Sequence, residues 1–124
     1  MVELLIKRAY EPAAAEDGMR LLVDRLWPRG LSKQALQLDG WAKALAPSTG
    51  LRRGWNHDPA RFEQFASAYR QELQANAAVD EYLELLAGCP RATLVYAARD
   101  QQVNHAVVLR DFLRSQLPAA PAEE

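Results

Sequence analysis

A chain of 124 residues, 49% hydrophobic and 25% charged, has the size and balance of one globular domain, too small for two independent cores and too apolar for a disordered polymer. Fifteen Lys plus Arg against sixteen Asp plus Glu leave a formal charge of -1, which excludes a global field able to hold nucleic acid or an anionic membrane; any anion site must be local. The lone cysteine, Cys89, excludes an internal disulfide, the short N-terminal apolar run is broken by Glu3, and no apolar stretch reaches the roughly 18 residues that span a bilayer, so a cytoplasmic protein without a membrane segment is expected.

In chain order, residues 4–6 and 20–26 are short aliphatic runs bounded by Asp17-Gly18 and Pro28, and they read as buried strands. Residues 10–17 between them, with Pro12 and a run of alanines, are too short for a helical crossover and read as a loop with at most one turn. Ser32 caps a short helix through Leu36. Residues 38–46 stay ambiguous: Leu38, Trp41, Ala42 and Leu45 fit a helical face, whereas Trp41, Lys43 and Leu45 alternate as a strand does. Pro47-Ser48-Thr49 breaks the chain and caps a short helix holding Leu51, Arg52 and Trp55.

Asp58-Pro59 opens the clearest helix, with Phe62, Phe65, Ala66, Tyr69 and Leu73 at helical spacing. Residues 78–87 repeat the pattern and stop at Gly88, with Pro90 just beyond. Residues 92–98 barely alternate and read as a central strand buried on both faces. Residues 103–117 form a last helix that turns Val103, Ala106, Val107, Leu109, Leu113 and Leu117 toward the sheet, and residues 118–124 read as a disordered tail. Strands interleaved with helices define an α/β domain over residues 1–117: a Rossmann-like, three-layer arrangement with a small, mainly parallel sheet. Ligands in such sheets bind beyond the carboxyl ends of the strands.

That rule directs attention to Asp24-Arg25-Leu26-Trp27-Pro28-Arg29-Gly30. Only Lys7, Lys33 and Lys43 are lysines against twelve arginines, and the arginine fork suits phosphate and carboxylate. Arg25 and Arg29 would fork onto an anionic group while Trp27 offers a stacking face; the alternative is an Asp24-to-arginine ion pair pinning the loop with Trp27 capping the core. At the end of the last strand, Asp100 and Asn104 suit helix caps, and His105 lies beside the ligand edge, where an imidazole acts as acid or base near neutral pH or merely as a hydrogen-bonded structural residue. Ser48 lacks a nucleophile elbow and suits a cap, and His57 beside Asp58 is explained by loop geometry. No metal is expected, because His57, His105 and Cys89 show no ligand spacing. Dinucleotide and P-loop fingerprints are absent, and the cofactor remains unknown.

Lys7-Arg8-x-Tyr10, Asp17-Gly18-x-Arg20, the Val23-Asp24-Arg25-Leu26-Trp27-Pro28-Arg29-Gly30 string, Leu45-Ala46-Pro47-Ser48 with Leu51-Arg52, and Tyr96-Ala97-Ala98 leading to Asn104-His105-Ala106 resemble the YeaO-like bacterial proteins, domain-of-unknown-function family 488. The resemblance implies a small bacterial α/β protein without an established activity to carry over, and it favours a strand at residues 41–45. It places Arg8, Asp24, Arg25, Trp27, Arg29, Ser48, Arg52 and His105 in the family's motif. Two functions follow as expectations. The first is a small enzyme for a phosphate-bearing metabolite or nucleotide, with His105 and Asp24 catalytic and Arg8, Arg25, Trp27, Arg29, Ser48, Arg52 and Asn104 binding substrate. The second is a non-catalytic binding or regulatory module for an anionic ligand or a protein partner. Nucleic-acid binding is disfavoured by the neutral charge, and the sequence sets no oligomeric state.

Overall fold

A computed structural model describes residues 2–117, so the tail expected over residues 118–124 lies outside the described residues. Its framework is a four-stranded sheet in the order β1-β4-β2-β3, parallel throughout: β1 (Glu3–Arg8), β2 (Met19–Leu22), β3 (Gly40–Trp41) and β4 (Arg91–Tyr96). The expected α/β class with a small parallel sheet is what the chain adopts. The central strand β4 hides Ala92 to Tyr96 completely, as its unbroken apolar run foretells.

The two faces of the sheet are covered differently. Leu21, Ala92, Leu94 and Tyr96 face the main core, where α3 (Phe62–Gln74), α4 (Ala78–Ala87) and α5 (His105–Gln116) bury Phe65, Tyr69, Leu86, Leu109 and Leu113. Each such side chain contributes about 1.5–3 kcal/mol when removed from water. The opposite face carries only a small cluster, Ala9, Leu22, Leu36 and Val95, closed by the single-turn α1 (Lys33–Leu36) that Ser32 caps.

The connection from β1 to β2 has no helix. It returns along the sheet through residues 9–18 with one 3-10 turn at Ala15–Asp17, then passes Gly18 at φ +66, where a Cβ would lie 2.2 Å from the Arg91 carbonyl oxygen. Only glycine fits that backbone and that approach. Beneath it, Arg20, 3% exposed, donates to Asp17 Oδ2 at 2.6 Å and to the Leu36 carbonyl at 2.8 Å, and Lys7 reaches Asp17 Oδ1 at 3.1 Å. Burial alone would raise the Asp17 carboxyl's pKa. The Ala14 N–H with Lys7 and Arg20 overrides that effect and holds it below its ordinary value.

Several boundaries differ from the sequence expectation. β2 stops at Leu22, not residue 26, because Val23 N–H makes its bond to Val95 and Asp24 then turns away. The strand expected over residues 41–45 is confined to Gly40–Trp41: β2 offers nothing further to pair with, and Lys43–Leu45 coils into a 3-10 turn that buries Ala42 and Leu45. The Asp58 cap opens a 3-10 turn, Pro59–Arg61, ahead of α3. The last helix starts at His105 rather than residue 103, since Asn104 caps it, and it buries Val108 and Phe112 where Val107 was expected. Among the described residues, no helix is long and apolar enough to cross a membrane.

Candidate functional site

Beyond the carboxyl ends of β1, β2 and β4 lies a cavity of about 610 Å³. The loop leaving β2 forms one wall through Asp24, Arg25, Trp27 and Arg29, and the segment leaving β4 forms another through Arg99 and Asp100. Helix α2 (Thr49–Trp55) brings Arg52 and Trp55 to a third side, and His105 at the start of α5 completes it.

The β2 loop is fastened on every side, which is why polar residues there hold a fixed shape. Asp24 Oδ2 accepts from Ala97 N–H at 3.0 Å, and the Asp24 carbonyl accepts from Trp41 Nε1 at 2.7 Å. Arg25 Nη2 donates to the Pro47 carbonyl at 3.2 Å, and Trp27 Nε1 donates to Leu31 at 2.7 Å. Tyr10 ties the loop to β1 by donating its hydroxyl to the Arg29 carbonyl at 2.9 Å. Trp27 meets Trp41 edge-on, ring centres 5.6 Å apart.

Charge in this site is unbalanced. Arg25, Arg29, Arg52 and Arg99 line the cavity, and among the described residues none forms an ion pair. Arg25 Nε is buried without a hydrogen-bond partner. The two carboxylates present are engaged elsewhere. Asp100 accepts from Gln102 and Val103 N–H at 2.8 and 2.9 Å, and those two donors, Val103 foremost, hold its carboxyl below the ordinary value. Asp24 serves Ala97 on one oxygen, while Oδ1 lies 3.1 Å from His105 Nε2.

His105 is constrained by the same contact. Its Nε2 is also 3.1 Å from the Val23 carbonyl oxygen, and a carbonyl only accepts, so Nε2 carries the proton. The bond goes to Val23, and Asp24 Oδ1 is a neighbouring charge without a hydrogen bond of its own. Nδ1 is the one ring nitrogen left for proton transfer. Behind the imidazole runs an aromatic file: Trp55 stacks on Phe65 at 4.1 Å, Phe65 meets Tyr69 at 5.6 Å, and Tyr69 lies 6.4 Å from His105. Burial, reinforced by the Glu72 and Asp24 charges, pushes the Tyr69 phenol well above its usual pKa, so it stays protonated and donates to the Leu45 carbonyl.

Six of the candidate residues, Asp24, Arg25, Trp27, Arg29, Arg52 and His105, therefore converge on one cavity. Three others do not line it. Arg8 braces the segment after β4 by donating to Ala98 and Ala97 carbonyls at 2.8 and 3.4 Å. Ser48 caps α2 and donates to Glu72, and the fully buried Asn104 caps α5 while donating to the Asp100 carbonyl at 2.8 Å. Arg99, Tyr10 and His57 join the lining without having been singled out as ligand groups. Arg99 follows from the same strand-end rule that pointed to the β2 loop; His57 arrives because Asn56 and His57 both adopt left-handed backbone, φ 50 and 55. Among the described residues, no cluster of His, Cys, Asp and Glu could hold a metal ion.

A short parallel sheet with an arginine-lined cavity at its carboxyl edge defines a small α/β protein. The chain belongs to the YeaO-like DUF488 family: the family model described as the inactive DUF488-N3 subclade matches residues 3–124. It is 43% identical over 109 residues to the uncharacterized protein YeaO of Escherichia coli K12, covering 88% of this chain and 95% of that protein. It is 41% identical over 111 residues to the uncharacterized protein Rv3073c of Mycobacterium tuberculosis H37Rv, covering 90% of this chain and 93% of that protein. No solved structure matches the chain.

Proposed function

We propose that the protein is a non-catalytic binding module for a small anionic ligand, held in the strand-end cavity by Arg25, Arg29, Arg52 and Arg99. The observation that carries this reading is the lining itself: Arg25, Arg29, Arg52 and Arg99 surround one cavity, and among the described residues none of them is paired with a carboxylate. An anion arriving there would accept charge-assisted, fork-like hydrogen bonds from these guanidinium groups. Trp27 and Tyr10 supply flat surface beside the charge.

Two things favour binding over catalysis. The subclade's description calls it inactive, and both His105 Nε2 and Asp24 Oδ2 are committed to main-chain partners. One observation supports the enzyme reading as second choice: the 3.1 Å contact of His105 with Asp24 at the cavity wall, an arrangement able to orient an imidazole for proton transfer.

A thermal-shift screen against phosphate, nucleotides, sugar phosphates and small carboxylates tests the proposal. A ligand at a hundred times its Kd should stabilise the fold by about 2.7 kcal/mol, a shift of several degrees. The Arg25→Ala, Arg29→Ala double variant should fold and lose the shift. His105→Ala should keep it; turnover of the bound ligand that disappears in His105→Ala would instead establish the enzyme.

A further inference from the structure

The cavity continues past Arg52. A second concavity, about 410 Å³, adjoins the first and shares Arg25, Leu26, Arg52 and His57 with it. Arg29 and Arg99 line only the first, and Arg53 lines only the second. No carboxylate lines the second concavity, and Arg53, like the other four arginines, forms no ion pair among the described residues.

Arg52 and Arg53 are consecutive on α2, so their side chains leave the helix about 100° apart: Arg52 reaches both hollows and Arg53 only the second. A guanidinium fork engages a carboxyl or phosphoryl group through two parallel N–H bonds, so two or three forks fill the oxygens of one such group. Five uncompensated arginines, two of them shared between adjoining hollows, exceed what a single such group engages.

We propose that the ligand bears two anionic groups of phosphoryl or carboxyl type, one in each hollow, with Arg25 and Arg52 contacting both. This rests on the anion-binding reading above and adds the number of groups.

Isothermal titration of the full chain with orthophosphate, pyrophosphate and tripolyphosphate separates the two ideas. The longer anions should bind at least about tenfold more tightly than orthophosphate. Arg53→Ala should remove most of that advantage while leaving orthophosphate affinity within about twofold. Arg70→Ala, an exposed site on α3 away from both hollows, removes the same charge and should change neither; it controls for general attraction to a basic surface. Longer anions no tighter than orthophosphate, or an Arg53→Ala effect equal to that of Arg70→Ala, would overturn the two-group ligand and leave the single-anion module standing. No binding of any of the three would remove the anion reading itself.

Discussion

Arg20 and Arg25 stand at opposite ends of the same strand and loop, and the protein treats them in opposite ways. Arg20 is shut inside with the Asp17 carboxylate at 2.6 Å, and Lys7 reaches the same carboxylate, so each cation at this end has an ionic partner. Arg25 has a single bond to a main-chain carbonyl, and its neighbours Arg29, Arg52 and Arg99 add charge without adding a partner. An ion-paired arginine inside a fold holds structure, whereas unpaired arginines on a concave wall are what the proposed anion site requires.

The strongest way to break this contrast is Asp17→Ala, which strands Arg20 and Lys7 together. A buried charge losing its partner costs about 3–5 kcal/mol, and urea denaturation should read a loss of that size. A cost under about 1 kcal/mol would mean the matched end is not structural after all.

Acid sharpens the same point. Asp17's carboxyl sits below its unperturbed value of 3.8 in the folded protein, so its contribution is complete above that value and lost as pH falls below it through the folded-state pKa. Stability followed from about pH 6 downward should show this extra fall in the native chain and not in Asp17→Asn.

Gly18→Ala should follow in size. Left-handed backbone costs a Cβ-bearing residue about 1–2 kcal/mol, and the Arg91 carbonyl at 2.2 Å adds to that, so the thermal midpoint should drop by several degrees. Smallest of all should be Arg25→Ala measured without ligand, within about 0.5 kcal/mol of the native chain. A large loss there would return Arg25 to the structural class and remove the contrast.

Much of the framework is legible in the amino-acid sequence. Apolar spacing and caps marked each major helix, and residues 78–87 were bounded as α4 is. The less legible parts depended on partners far along the chain. Residues 41–45 cannot know from their own pattern that β2 ends at Leu22, and Val107 and Val108 are interchangeable until the start of α5 is set by Asn104. The site divides likewise. The β2 loop stood out because several charged and aromatic residues follow one strand, but Arg99, Tyr10 and His57 join it only when three other segments meet across the sheet edge. Arg8 and Asn104 share the motif yet hold backbone, since sequence reports which residues are polar and not which carbonyl each will find.

The strand order has a consequence for how the chain is made. β1 pairs with β4 alone, and β2 depends on β4 as well, yet β4 is the last of the four described strands to leave the ribosome. Until Tyr96 has emerged, the earlier strands have no central ribbon to join, and their apolar faces wait uncovered. Such long-range pairing is slow and exposes nascent chains to aggregation. A protein wired this way completes its sheet only once its last described strand has been made, which makes the stretch from Arg91 to Tyr96 the step that commits the sheet.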